Sequence, residues 1–173
     1  MSDARQAGVA WFNGADESAA RAALQDVCAA RGWADALLAA RPYADADALL
    51  AANDAAIERL GPAGLDEALA GHPPIGRPTP GDSVSGAEQR GMSGASPALR
   101  AEMLELNRAY QERFGHVFLV CATGLGAEEL RDALRARLHH PPDVERGVVR
   151  TELARINRLR LTRLVAGAVR SAP

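Results

Sequence analysis

A histidine next to two prolines is the feature of this chain best suited to proton-transfer chemistry. The segment His72-Pro73-Pro74-Ile75-Gly76 is followed, nine residues after Gly76, by Ser85-Gly86-Ala87-Glu88-Gln89. Histidine has an unperturbed pKa near neutrality, and the prolines stiffen the loop, so the imidazole can be held in one direction. A directed histidine near a carboxylate suits general acid–base catalysis. The pattern is equally compatible with a proline-rich surface linker that carries an incidental histidine.

An arginine on the apolar face of the last predicted helix is a second candidate. At helical spacing Arg160 shares one stripe with four apolar residues, Val149, Leu153, Ile156 and Leu164. Arg155 and Arg158 fall on the other side, where we expect solvent. Burial of an arginine in the core destabilises the folded state unless a carboxylate or an anionic ligand pairs with it. The alternative is an arginine that extends to water from the edge of the stripe.

Together His72, Glu88 and Arg160 would form an acid–base and anion-binding set, although spacing alone does not bring them side by side. Glu88 taken alone is also compatible with a solvated helix face. His116 follows a glycine and is interpreted as a turn residue, and the adjacent His139 and His140 suit a helix end. With four histidines and no Cys/His cluster we expect no metal site, and no nucleotide or nucleophile-elbow motif is present.

Composition predicts an all-α fold in a single domain spanning residues 1–173. Hydrophobic residues make up 47% of the chain but aromatic residues only 4%, so Ala, Leu and Val must build the core. These residues favour close-packed helices over sheets. We expect a bundle of about seven or eight helices with a long, ordered Pro/Gly-rich active-site loop.

Charge and cysteine content indicate which classes of partner and which cellular compartment to expect. All 20 basic residues are arginine and the net charge is −2, which gives no indication of nucleic-acid binding. No apolar run is long enough to span a membrane, and the N-terminus lacks a signal-peptide core. Cys28 and Cys121 are far apart and form no CxxC motif, so a reduced, cytoplasmic setting is expected.

Cap residues and helix breakers predict the order of the elements. Asn13 or Asp16 caps the first predicted helix, which Gly32 ends, and Asp45 or Asp47 caps the third. The predicted helices are Glu17 to Ala30, Trp33 to Ala40, a third to about Leu60, Leu65 to Ala70, Pro97 to Gly115, Ala127 to Leu138, and about Asp143 to Val169. His116 to Thr123 is interpreted as a buried extended connector. The segment from His72 to Pro97 holds five prolines, Pro97 included, which indicates a long loop that is either functional or disordered.

Several short motifs in register resemble the 2-oxo-4-hydroxy-4-carboxy-5-ureidoimidazoline (OHCU) decarboxylases of urate breakdown. The resemblance runs from Trp11-Phe12-Asn13 to Leu164. Its motifs are HPPIG, SGAEQ, Asn107-(x2)-Tyr110-(x3)-Phe114-Gly115-(x2)-Phe118, Leu134-(x3)-Leu138, and Glu152-(x3)-Ile156-(x2)-Leu159-Arg160-Leu161. It implies an all-α, cofactor-free and commonly homodimeric enzyme that performs the last step from urate to (S)-allantoin, with a small-molecule ureidoimidazoline as its substrate.

The resemblance also implies roles for individual residues. His72 would be the catalytic histidine, and Glu88 and Arg160 would be the other two catalytic residues. The implied substrate-binding residues are Pro73, Ser85, Gly86, Ala87, Glu88, Gln89, Val120, Cys121, Ala122, Thr123, Gly124 and Arg160. Pro74 departs from the HPRIG of many family members, so the basic residue is absent there. Gly91-Met92 stands where family members more often show residues of the Ala-Gly-Leu type. Two alternatives stay open: a non-catalytic helical binding module, and a decarboxylase of a related ureide.

Overall fold

The computed structural model describes residues 2–77 and 90–167, and in these ranges the chain is helical with no strand. Eight α-helices and one short 3₁₀ helix, Arg90–Met92, are present there. The α-helices are α1 Ser2–Gly14, α2 Glu17–Val27, α3 Arg31–Ala39, α4 Ala46–Arg59, α5 Pro62–Ala70, α6 Pro97–Phe114, α7 Ala127–Arg137 and α8 Pro142–Gly167. The all-α prediction is confirmed. None of the helices in the described ranges is long and apolar enough to cross a membrane.

Local capping accounts for where several helices begin and end. The side chains of Asp16, Asp45 and Ser96 each accept a hydrogen bond from the backbone N–H three residues further on, at 3.2, 2.8 and 3.1 Å. At the other end of α6, Gly115 adopts a left-handed conformation with φ of 75°. Glycine has no Cβ to oppose that conformation, so the chain leaves the helix there as predicted.

Three sequence-based boundaries were wrong. The first predicted helix stops at Val27 and not at Ala30, because the backbone at Cys28 is already extended. Helix α3 begins at Arg31 and not at Trp33, so Gly32 lies in its first turn and does not end a helix. Helix α5 begins at Pro62, three residues before the predicted start. Helix α1 was not predicted at all.

The chain divides into two compact units, and the boundaries between them fall within α5 and α8. The first comprises residues 1–68 and 154–173, and the second residues 69–153. In the first unit a buried Asn53 accepts from Trp33 Nε1 at 2.9 Å and donates to the carbonyl of Ala154 at 3.3 Å. The core of this unit includes Phe12, Leu24, Trp33, Leu37, Leu49, Ile57 and Leu161. The single domain over residues 1–173 stays a prediction.

The second unit is built around Tyr110, which is fully buried. Its ring centroid lies 4.6 Å from that of Phe114 and 5.4 Å from that of Phe118. The surrounding core consists of Ile75, Met92, Met103, Phe118, Ala122, Leu130 and Leu134. This unit contains the His72 segment and the connector between α6 and α7.

The buried face of α8 differs in part from the predicted stripe. Val149, Leu153 and Ile156 are buried as expected. Beyond them the buried positions are Asn157, Leu161 and Val165, whereas Arg160 and Leu164 are half-buried. The single straight stripe was therefore wrong for Leu164, because the face that α8 buries rotates along the helix.

Candidate active site

His72 lies just beyond the end of α5 and is buried, with 9% of its surface exposed. Its backbone N–H donates to the carbonyl of Leu69 at 3.0 Å, so the histidine begins from a backbone position fixed to the helix end. Pro73 and Pro74, both half-buried, follow directly. The proline rings fix φ at two successive residues and limit how the segment can move.

A tight turn follows the two prolines. The N–H of Arg77 donates to the carbonyl of Pro74 at 3.0 Å, and Gly76 has φ of 84°. A positive φ at the third residue is what a type II turn requires, and it explains the glycine. Asn107 of α6 donates to the carbonyl of Ile75 within this turn at 3.1 Å.

A cavity of about 180 Å³ borders the same turn within the second unit. It is lined by Ile75, Gly76, Arg77, Met92, Arg100, Met103 and Leu104. The guanidinium group of Arg100 donates to the carbonyls of Ala95 and Ser93 at 3.0 and 2.9 Å. The cavity therefore combines apolar side chains with two guanidinium groups close to the His72 segment.

The connector between α6 and α7 contains neither helix nor strand; its extended conformation stays a prediction. Its polar backbone groups bond to side chains instead: the carbonyl of Leu119 accepts from Arg137 Nη1 at 2.7 Å, and the N–H of Cys121 donates to Glu152 at 2.8 Å. Buried backbone groups need such partners. The connector ends in a turn in which Gly124 has φ of 86°. The segment that carries the predicted substrate-binding residues 120–124 is thus held by two charged side chains.

Gly91 explains why the 3₁₀ helix can approach the end of this connector. A Cβ built at Gly91 would lie 1.9 Å from the carbonyl oxygen of Leu125. No side chain fits at that distance, so only glycine allows the two backbones to meet.

A buried ionic cluster lies beneath the connector. Glu145 is fully buried and accepts hydrogen bonds from Arg137, from the Tyr110 hydroxyl and, at 2.8 Å, from Nδ1 of His140 when that nitrogen carries the proton. The guanidinium of Arg137 also lies over the Phe118 ring, with its Cζ 4.6 Å from the ring centroid. Every charge in the cluster thus has a partner, as a buried ion pair needs.

The cluster shifts the pKa values of its members. Burial alone would raise the pKa of Glu145, but the hydrogen bonds from Arg137, Tyr110 and His140 outweigh it, and the pKa is lowered. Burial, reinforced by the hydrogen bond to Glu145, raises the pKa of Tyr110. Glu145 is therefore an anion at neutral pH and Tyr110 a neutral donor to it.

Arg160 belongs to the first unit. It is half-buried, and its Nη1 donates to the carbonyl of Val27 at 2.9 Å, at the C-terminal end of α2. A cation is favoured at that end of a helix. The neighbouring Cys28 is a buried free thiol whose pKa is raised, mainly by burial. Arg158 pairs with Asp54 at 2.6 Å and is half-exposed, with 43% of its side chain accessible.

Only some of the predicted site residues lie within the described parts of the chain. His72, Pro73 and the 120–124 segment lie in the second unit, and Arg160 lies in the first. Ser85, Gly86, Ala87, Glu88 and Gln89 lie outside the described residues, as does the whole of 78–89 in the predicted active-site loop. Their roles, and those of His72 and Arg160, stay predictions.

Sequence reasoning missed the side chains that hold the site segments in place. These are Asn107, Arg137, Glu145 and Glu152, none of which was assigned a function. Asn107 lies three residues before Tyr110, on the buried side of α6, which was the available signal. His140 was interpreted only as a helix end, yet it contacts the buried Glu145. Among the residues described, no three histidine, cysteine or acidic side chains form a group suited to a metal ion.

Comparison with known proteins gives the family. The sequence model of OHCU decarboxylase matches residues 13–162. The "Uric acid degradation bifunctional protein TTL" of Arabidopsis thaliana is 29% identical over 145 residues, which cover 79% of this chain and 44% of that protein. The "2-oxo-4-hydroxy-4-carboxy-5-ureidoimidazoline decarboxylase" of Amia calva is 30% identical over 138 residues, which cover 76% of this chain and 79% of that protein.

Solved structures show the same fold. A crystal structure of OHCU decarboxylase in the presence of (S)-allantoin superposes with a TM-score of 0.73 at 24% identity, over 87% of this chain and 99% of that one. A crystal structure of (S)-allantoin synthase gives 0.70 at 20% identity, over 90% of this chain and 53% of that one. The chain spans less than half the length of the Arabidopsis protein.

The fold and the site thus define the class of this protein: it is an all-α protein with a buried histidine on a proline-stiffened loop. The chain belongs to the OHCU decarboxylase family, since the family model covers most of its length.

Proposed function

We propose that this protein decarboxylates OHCU to (S)-allantoin, the last step from urate to (S)-allantoin, without a cofactor. The observation that carries the proposal is the family match over residues 13–162, which includes the HPPIG segment. The names of both relatives support it, since one is a uric acid degradation protein and the other an OHCU decarboxylase.

The chemistry of the substrate is consistent with a cofactor-free reaction. The departing carboxylate sits on a ring carbon that also bears a hydroxyl, and the adjacent ring carbon forms a C=N bond. When the C–C bond breaks and CO₂ leaves, its electron pair forms a C=C bond between the two ring carbons, and the C=N pair moves onto the imine nitrogen, which takes up a proton. The hydroxyl then gives up its proton and becomes a carbonyl, and the C=C pair takes a proton on one face of the ring carbon that bears the ureido group. The protein has to hold the anion and assist these proton transfers, with one net proton taken up from the medium.

His72 is proposed as the acid–base group. Histidine is the side chain whose unperturbed pKa lies closest to neutrality, and the burial of His72 and the hydrogen bond from its N–H to Leu69 restrict where the ring can lie. General acid–base catalysis of this kind contributes about 10²–10⁴-fold to rate. Glu88 is proposed either to orient His72 or to bind the ureido N–H groups.

Arg160 is proposed to bind a carboxylate or other anionic group of the substrate. A guanidinium can hold such a group by two parallel hydrogen bonds, and one of its nitrogens is already fixed by the Val27 carbonyl. Pro73, the Ser85 to Gln89 segment and the backbone of Val120 to Gly124 are proposed to complete substrate binding. Fixing the substrate can contribute up to ~7–11 kcal/mol in favourable cases.

We also propose, from the family resemblance, that the protein is a homodimer and acts in the cytoplasm. Light scattering of the purified chain would test the dimer, and fractionation of cells that express it would test the compartment.

The function is tested by adding the purified chain to freshly generated OHCU and following its loss by ultraviolet absorbance. The proposal expects loss that rises in proportion to protein concentration, with CO₂ released in equal amount. A rate no faster than in buffer would contradict it.

A further inference from the structure

Asn107 connects α6 to the loop that carries His72. Its side-chain amide nitrogen donates to two carbonyls, that of Ile75 in the loop at 3.1 Å and that of Met103 on its own helix at 2.9 Å. The residue is buried, with 6% of its surface exposed. The second hydrogen bond fixes the amide against α6, so the first ties the loop to that helix.

The carbonyl that Asn107 contacts is the one most sensitive to the form of the turn. It belongs to the central peptide of the Pro74–Arg77 turn, between Ile75 and Gly76. Types I and II differ by roughly a half-rotation of this peptide. A flip would direct the carbonyl away from Asn107 and would remove the positive φ of Gly76. Asn107 and Gly76 therefore favour the same geometry by independent means.

Little freedom remains between this turn and His72. The φ angles of Pro73 and Pro74 are fixed by their rings, and a residue that precedes a proline is confined in ψ. Both His72 and Pro73 precede a proline. The other end of the segment is anchored by the hydrogen bond from the His72 N–H to the Leu69 carbonyl. A change at the Ile75 carbonyl is therefore transmitted to the backbone of His72.

We infer that Asn107 is a positioning residue for His72 and acts through the Pro74–Arg77 turn. The inference rests on the proposed function, in which His72 moves protons. A misplacement of about 1 Å in a reacting group can lower the rate by about 100-fold. Loss of the tether should therefore reduce kcat and leave KM little changed, because the tether acts on the reacting group and Asn107 is not among the residues proposed to bind the substrate.

Two variants remove the tether by different routes. Asn107→Leu keeps the branched shape of the side chain but loses both hydrogen bonds, and Gly76→Ala opposes the positive φ without a clash, since its Cβ would lie 3.9 Å from the nearest atom. Asn53→Leu is the control for a buried asparagine in the first unit. Gly115→Ala is the control for the same strain elsewhere, with φ of 75° and no atom within 4 Å of the new Cβ.

The expected result is a fall in kcat of about 10- to 100-fold in both tether variants, with KM within about threefold of wild type. Both controls should retain kcat within about threefold. A folded Asn107→Leu with near wild-type kcat overturns the inference. If Asn107→Leu does not fold, Gly76→Ala decides, and equal losses in Gly76→Ala and Gly115→Ala overturn it.

A double-mutant cycle separates positioning from general weakening of the fold. In a His72→Asn background, Asn107→Leu should have no further effect on the residual rate, because the group that it positions is absent. Additive losses would show that Asn107 acts independently of His72 and would contradict the inference.

A spectroscopic measurement keeps the inference separate from the proposed function. In histidine-labelled protein the His72 imidazole resonances, assigned with His72→Asn, should shift in Asn107→Leu and stay in place in Asn53→Leu. If wild type fails to convert OHCU, the proposed function fails while this test still applies. Unchanged His72 resonances in Asn107→Leu would reject the positioning role whatever the activity.

Discussion

Arg137 and Glu145 form a buried ion pair in which two guanidinium nitrogens, Nε and Nη2, donate to one carboxylate oxygen at 2.8 and 2.5 Å. The third nitrogen of Arg137 donates to the Leu119 carbonyl. Arg137 therefore links the buried carboxylate of Glu145 to the connector that carries the predicted substrate-binding backbone.

Removal of one partner of this pair should destabilise the protein strongly. Arg137→Met leaves Glu145 as a buried charge without its main partner, and the expected loss is about 3–5 kcal/mol of unfolding free energy. Urea denaturation followed by circular dichroism measures it. The control is Arg108→Met, which breaks an exposed pair with Glu112 and should leave the urea midpoint nearly unchanged. Equal shifts in the two midpoints would show that the buried pair has no special role.

Glu145 should set the acid limit of stability. Because its pKa is lowered on folding, it stabilises the folded state above the ordinary glutamate pKa of about 4.3, and this contribution is lost as pH falls through the lower pKa of the folded protein. Glu145→Gln removes the titration. The difference in unfolding free energy between wild type and Glu145→Gln should be constant above about pH 5.5 and shrink below about pH 4.3. A difference independent of pH would contradict this assignment.

His72→Asn should abolish most allantoin formation in a folded protein. The expected loss in kcat is about 10²–10⁴-fold, the usual contribution of an acid–base group. His116→Asn is the matched control, because His116 bonds to the carbonyl of Val117 and packs edge-on against Tyr110. If the loss follows His116 and His72→Asn keeps near wild-type turnover, the acid–base group has been assigned to the wrong histidine.

Arg160 and Arg158 should differ sharply in their effect on turnover. Arg160→Ala is expected to raise KM and lower kcat, and Arg160→Lys to recover only part of the loss, since an ammonium cannot reproduce a two-pronged contact. Arg158→Ala breaks a half-exposed pair with Asp54 and should be nearly silent. Steady-state kinetics on variants with verified folding distinguish them. An active Arg160→Ala beside an inactive Arg158→Ala would mean that the wrong arginine was chosen.

The sequence predicts well the bounds of those helices that have capping or helix-breaking residues at their ends. Helix α6 begins at Pro97 behind the Ser96 cap and ends at Gly115, and all three residues are visible in the sequence. Gly32 misled for the opposite reason. A glycine inside a helix costs about 1 kcal/mol relative to alanine, which tertiary packing overcomes in α3, where Trp33 and Leu37 are fully buried.

The features of the site that the sequence could not predict are polar contacts between residues far apart in the chain. Arg137 and Glu145 are separated by a helix end, and nothing local distinguishes them from the many exposed Arg and Glu residues of the chain. The tether from Asn107 to Ile75 joins positions 32 residues apart. Such contacts follow from how the helices pack, which periodicity does not specify. The His72 segment could be singled out because prolines restrict it locally.

The enantiomer of the allantoin product tests the central claim most directly. Water protonates a planar intermediate on either face, so decay in buffer gives a racemate, whereas an enzyme that returns the proton to one face gives a single enantiomer. Wild type acting on freshly generated OHCU should yield (S)-allantoin by circular dichroism, and His72→Asn should yield a slowly formed racemate. Racemic allantoin at the uncatalysed rate with wild type would contradict the account.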